Sequence, residues 1–199
     1  MPKLEGVKEQ RHQPFFDTLI RAGANTAPKP TVGSLTRLFS SANIGNMALT
    51  NMKSAGVLSS DQTFVILSMR AWLYFRGAGA GDMYAGCASQ LYWTLEVGDK
   101  PFFQAPSWYF SSGGGISGSD PSAPAMNLGT PDHRSILKLG QPIPIPARQG
   151  FAAIAEFYPF EGGTSPSSDV RQNLLNSAAN IGDRQIMFVL DGLHSRDVL

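Results

Sequence analysis

From Thr63 to Phe75 the chain reads Thr-Phe-Val-Ile-Leu-Ser-Met-Arg-Ala-Trp-Leu-Tyr-Phe, and taken in twos it separates into two sets. Val65, Leu67, Met69, Ala71, Leu73 and Phe75 are all apolar; Phe64, Ile66, Ser68, Arg70, Trp72 and Tyr74 are mixed. A strand places such sets on opposite faces, whereas a helix interleaves them. The β-branched and aromatic content agrees. The reading is a long strand with Val65, Leu67, Met69 and Leu73 facing inward. Gln90 to Val97 repeats the pattern, with Leu91, Trp93, Leu95 and Val97 inward against Tyr92, Thr94 and Glu96, and Gly98-Asp99 follows as a turn. Phe151 to Tyr158 alternates again, Phe151, Ala153, Ala155 and Phe157 against Ala152, Ile154, Glu156 and Tyr158. Gln185 to Leu190 is a short apolar run closed by Asp191-Gly192, a turn dipeptide.

Between these runs, Gln141-Pro-Ile-Pro-Ile-Pro146 sets proline at every second position. Proline cannot donate to a ladder, so this segment belongs at a sheet edge or in an extended connection. Strands separated by turn clusters, without βαβ alternation, predict an all-β chain, a β-sandwich or barrel. Helix is expected only as a minor component. Pro14 to Gly23 groups Phe15, Phe16, Leu19 and Ile20 on one side and ends in a glycine suited to a C-terminal cap. Asp169-Val-Arg-Gln172 resembles a capping box ahead of Leu174, Leu175 and Ala178.

Residues 1 to about 60 differ from the rest. They are rich in Ser, Thr, Asn and Gly, with scattered apolar anchors such as Leu35, Leu38 and Phe39. A long irregular stretch is unusual within a compact domain. The organisation expected is therefore an extended N-terminal arm over 1–60, with a short helix, and a β-sandwich over 61–199. Ser111 to Thr130 and Glu161 to Ser168 read as long surface loops.

Composition sharpens this. Gly and Pro number 21 and 14 in 199 residues, which implies many turns, and charged residues are only 16% of the chain. The net charge of +1 offers no field for gathering phosphate, so strong nucleic-acid binding is not expected. Low surface charge also does little to keep copies apart. The single cysteine, Cys87, excludes an internal disulfide and a cysteine zinc cluster, and its small uncharged neighbours give no reason for a lowered thiol pKa. No stretch approaches the roughly 18 apolar residues of a membrane span. The polar first residues lack the apolar centre of a secretion signal, so use without export is expected.

Candidate chemistry is sparse. Gly113-Gly-Gly-Ile-Ser-Gly118 has the spacing of a dinucleotide loop, but Ser119-Asp-Pro-Ser-Ala-Pro follows and cannot open the helix that pyrophosphate binding needs. It reads as a flexible loop, as does Gly77-Ala-Gly-Ala-Gly81. His12, His133 and His194 show no ligand spacing, and there is no G-x-S-x-G elbow. They read as polar residues of loops and turns. Asp120 and Asp132 fit no recognised calcium loop. No catalytic residue, metal ligand or cofactor is assigned. The aromatics carry more: Phe102, Phe103, Trp108, Tyr109 and Phe110 fall within a proline-interrupted stretch, where burial against a neighbouring chain competes with core packing.

With its long first segment, the strand set from Thr63 onward, Leu91-Tyr-Trp-Thr-Leu-Glu-Val-Gly-Asp-Lys100, Pro142-Ile-Pro-Ile-Pro146 and Ile186-Met-Phe-Val-Leu-Asp-Gly192, the chain resembles the jelly-roll structural proteins of icosahedral viruses, particularly phages. The resemblance implies eight strands in two antiparallel sheets, with arms and loops bridging subunits. It implies a capsid, cement or vertex subunit of a virion, assembled in the host cytoplasm, whose partners are copies of itself and other virion proteins. The early charges are Lys3, Lys8 and Arg11 against Glu5 and Glu9, which favours a shell role over genome binding. The expected contact residues are Phe102, Phe103, Trp108, Tyr109, Phe110, Pro142 and Pro144. Two other classes remain: a carbohydrate- or receptor-binding β-sandwich stacking sugars on Trp108 and Tyr109, and a β-sandwich enzyme using His133 or His194 with acids.

Overall fold

A computed structural model describes residues 8–21, 35–77, 91–110, 137–157 and 181–197. Among the described residues nine strands follow one another: β1 (Lys8–His12), β2 (Phe15–Arg21), β3 (Leu35–Leu38), β4 (Gln62–Gly77), β5 (Leu91–Val97), β6 (Lys100–Pro106), β7 (Leu137–Ile145), β8 (Phe151–Phe157) and β9 (Ile181–Asp197). Two short 3-10 turns, Ser41–Asn43 and Ser107–Tyr109, complete the elements. No helix among the described residues is long and apolar enough to cross a membrane.

The strands form two antiparallel sheets packed as a sandwich. One runs β1-β9-β4-β7, with β2 also paired to β9; the other runs β3-β8-β5-β6. β1 and β2 occupy successive stretches of the same side of β9, Leu193 to Asp197 and Arg184 to Leu190. They are one strand broken at Gln13-Pro14, where the Gln13 N–H still donates to the Gly192 carbonyl at 3.1 Å. Pro14 has no N–H to give, which explains the break. Counting that pair once, the first strand pairs with the last (β1/β2 with β9), the second with the next to last (β3 with β8), then β4 with β7 and β5 with β6. The pairing is nested.

Between the sheets lies the hydrophobic core. Leu91, Trp93, Leu95 and Val97 are buried at every second position of β5, as the alternation predicts. Trp93 meets Phe188 of the opposite sheet with ring centroids 4.6 Å apart, and Phe110 meets the same ring at 5.4 Å. Phe151, Ala153 and Ala155 of β8 are buried too. The turn after β5 is Gly98-Asp99, with Gly98 at φ +64°, a conformation that costs glycine little.

The long strand β4 departs from simple alternation. Phe64 and Ile66 are fully buried, while Val65 and Leu67, expected inward, are only half-buried. At Met69 and Ala71 the expected face is the buried one. A β-bulge explains both halves: Ile66 pairs with Gly192 and Ser68 with Asp191, so Leu67 is the extra residue and the faces exchange there. The side chains of Leu73 and Phe75 lie outside the described residues.

Three expectations are corrected. Phe15 to Arg21 is a strand, not a helix, because its backbone hydrogen bonds go to β9. Asp191-Gly192 is no turn; both residues lie inside β9. Residues 8–21 and 35–60 do not stand off as an arm. They supply β1, β2 and β3, and Phe15, Leu38, Phe39, Met52 and Leu58 belong to the core. Their anchors are sparse, but pairing with β8 and β9 supplies the backbone partners that a private core would not. The expected capping box at Asp169, the loops 111–130 and 161–168, Cys87, His133, Asp120 and Asp132 lie outside the described residues.

One buried carboxylate ties this early segment down. Asp17 is inward on β2, and its Oδ1 accepts from its neighbour's N–H, Thr18, at 2.9 Å and from Asn43 Nδ2 at 2.8 Å. Its Oδ2 accepts from the Phe39 N–H at 2.5 Å. Asn51 adds a bond from the Phe16 N–H at 3.0 Å and one to the Pro14 carbonyl at 2.6 Å. The loop that follows β3 is thus stitched to β2 by its own chain.

Candidate functional site

At one side of the sandwich, edge strand β6 runs into the Ser107–Tyr109 turn and presents aromatic rings to solvent. Trp108 is 63% exposed, Tyr109 and Phe102 48% each. Phe102 stands out because it is the extra residue of a second bulge: Leu95 pairs with Phe103 and Glu96 with Pro101. Phe103 points back and packs against the core. Its ring stacks on Tyr109 at 6.1 Å and meets Phe110 edge-on at 5.4 Å.

The turn is anchored from below. Phe110 is 1% exposed, and its carbonyl accepts from the Ala71 N–H of β4 at 3.1 Å, so the turn is bonded to both sheets. Trp93 Nε1 donates to Ser107 Oγ at 3.0 Å within the core. Buried groups on either side of Trp108 and Tyr109 therefore fix the backbone that carries them. This is a rigid mount for exposed aromatic surface, the type of residue that dominates protein contacts.

The structure brings together Phe103, Trp108, Tyr109 and Phe110 of the expected contact set, with Phe102 on the same strand. It separates them by role: Phe110 is a core residue, a correction, and Phe103 is half-buried support. Pro142 and Pro144 are exposed on β7, which is the edge of the other sheet. They are not part of the aromatic cluster. The Trp108 and Tyr109 rings stand 5.8 Å apart at 81°, one face and one edge rather than two coplanar faces.

A second set of polar side chains includes two of the histidines expected in loops or turns. His12 and His194 lie in β1 and β9. His12 Nε2 is 2.9 Å from Asp191 Oδ1, and Arg70 Nη2 of β4 bonds the other oxygen of the same carboxylate. One mostly buried carboxylate thus links three neighbouring strands and neutralises the guanidinium. His194 faces the opposite way. It is 2% exposed, meets Phe15 edge-on at 5.5 Å, and accepts at Nδ1 from Arg11 Nε at 3.5 Å. Burial, with help from the Arg11 and Arg196 charges, holds its pKa below the ordinary imidazole value, against the weaker pull of Asp61 and Glu9. Period-two counting from Phe188 and Leu190 reaches position 194 on the inward face, the signal that could have placed it. Among the described residues no group of three or more His, Cys, Asp and Glu side chains could hold a metal ion.

No protein-family model matches the chain, and no curated protein matches it in sequence.

Proposed function

We propose that the chain is a jelly-roll structural subunit of a protein shell of the kind that icosahedral viruses build. Support for the jelly-roll part comes from the strand order. Nested antiparallel pairing of first with last, second with next to last, and so inward is what two interlocked Greek keys produce. The orders β1/β2-β9-β4-β7 and β3-β8-β5-β6 follow that scheme.

The observation that carries the assembly role is the exposed aromatic group of Phe102, Trp108 and Tyr109 on its rigid mount. Rings held this way lose little freedom on contact, so burying them against a second subunit gains area at small entropic cost. A net charge of +1 adds little long-range repulsion between copies. Protein contact fits two rings at 81° better than a flat sugar does, since only one of them can lie face-on to a pyranose.

The test is light scattering of the full chain at micromolar concentration, with negative-stain microscopy. Discrete multi-subunit particles that dissociate on Trp108→Ala with Tyr109→Ala support the reading. A chain that stays monomeric, assembles equally well without both rings, or binds glycans through Trp108 overturns it.

A further inference from the structure

β1 has the sequence Lys-Glu-Gln-Arg-His, without an apolar side chain, and none of its residues is buried. It sits at the end of its sheet, paired only to β9, and is joined to β2 through the broken Gln13-Pro14 link. What holds it, besides the backbone ladder, is polar contact. Glu9 Oε2 lies 2.5 Å from Arg196 Nε and Lys8 Nζ 4.0 Å from Asp197 Oδ1, and His12 Nε2 is 2.9 Å from Oδ1 of the mostly buried Asp191. The two exposed pairs stabilise little. The one buried side chain under the strand is His194, which takes the Arg11 Nε–H at Nδ1 and whose Nε2 has no hydrogen-bond partner among the described residues.

We propose that β1 is an acid-released latch: protonation of His194 expels the strand from the edge of β9 while the rest of the sandwich stays folded. The neutral ring can accept from Arg11; the imidazolium cannot, and it would set a cation against that guanidinium in a buried place. The charged groups facing the ring are Arg11 and Glu9 from β1, Arg196 from β9 and Asp61 from the turn before β4. β2 and β4 offer it Phe15 and Phe64, which add no charge. When β1 leaves, Arg11 leaves with it and the ring gains water.

The sign follows from the depressed folded-state pKa. With Arg11 gone, the ring of the open form takes a proton more readily than the ring of the closed form, whose pKa is held down. Closure is therefore fully favoured above the open-form pKa and is lost progressively as pH falls from there toward the folded-state pKa. Loss is local because the backbone bonds of β4, β5 and β8 do not involve β1.

Amide hydrogen exchange of the full chain, corrected for intrinsic rates, reads the latch directly at about pH 7.5 and about pH 5, on either side of the imidazole range. Protection of the amides that bond β1 to β9, the Gln13 N–H on the Gly192 carbonyl among them, should fall by no more than about tenfold per pH unit for one proton, while the Asp197 N–H, which donates to the Asp61 carbonyl, keeps its own. Residues 91–97 should keep theirs. His194→Gln should flatten the dependence. Should that variant not fold, Arg11→Gln gives a shallower slope. Equal protection of the wild type at both pH values overturns the proposal. So does an undiminished slope in His194→Gln or Arg11→Gln, or loss at 91–97 together with β1.

Discussion

Gly192 of β9 and Val65 of β4 meet backbone to backbone: a Cβ at 192 would overlap the Val65 carbonyl oxygen and come within 3.1 Å of the Ile66 Cα. Neither atom can swing away as a side chain would. Gly192 also lies opposite the bulge at Leu67, where β4 changes faces. Gly192→Ala should therefore lower stability by about 2–3 kcal/mol through forced backbone displacement. Urea unfolding measures it, and a change below about 0.5 kcal/mol would show that the two strands can part freely there.

Neighbours in sequence should behave in opposite ways at the aromatic turn. Phe110→Ala removes a fully buried ring and should cost about 3–5 kcal/mol. Trp108→Ala, two residues earlier and mostly exposed, should change the stability of the isolated subunit by less than about 0.5 kcal/mol. The same unfolding curves at low concentration compare them. Equal losses would mean that Trp108 packs on its own chain.

Trp93 combines a packing role with a polar one. Truncation to Ala should cost about 3–5 kcal/mol. Trp93→Phe keeps most of the contact with Phe188 but leaves Ser107 Oγ without its donor, and should cost less. Adding Ser107→Ala to Trp93→Phe should recover part of the difference, since both members of the hydrogen bond are then gone. A strictly additive double variant would deny that the bond matters.

Asp17 accepts from three donors with two oxygens. In Asp17→Asn an amide NH2 must face one of those donors, so the substitution should cost roughly 2–3 kcal/mol despite its matched shape. It should loosen the Phe39 backbone, which holds φ +59° beside that carboxylate. Thermal unfolding reads the first effect and amide exchange at Phe39 the second; unchanged values in both would leave the carboxylate without a structural role.

How much of this was legible depended on how regular each strand is. β5 was readable because its inward side chains recur at every second residue without interruption. β4 misled at Val65 and Leu67 because a bulge adds a residue that no composition rule marks. Phe15, Phe16, Leu19 and Ile20 fit a helical stripe as well as a strand, and long-range pairing with β9 decided between them. Gly192 carries the mark of a turn, but what requires glycine there is the approach of β4. β6 was hidden between Pro101 and Pro106. At the aromatic stretch, sequence could group five rings but could not tell Phe110, which is sealed in the core, from Trp108, which faces water. The environment of His194 was beyond it too, since Arg11 and Asp61 come to that ring from distant parts of the chain.

The nested ladder also dictates when the molecule can be completed during synthesis. β9 is the inner strand that receives both β1/β2 and β4, yet it is synthesised after all of them. Until residues 181–197 emerge, β1 and β2 have no partner in their own sheet and must wait with their edges bare. The pairs that β9 makes with β1 and β2 join the two ends of the described chain, which makes for slow acquisition of structure and a premium on chaperones that shield early segments. A nascent chain stalled before residue 181 should be sensitive to protease over residues 8–21, whose strands pair only with β9, and should become resistant there once 181–197 emerge.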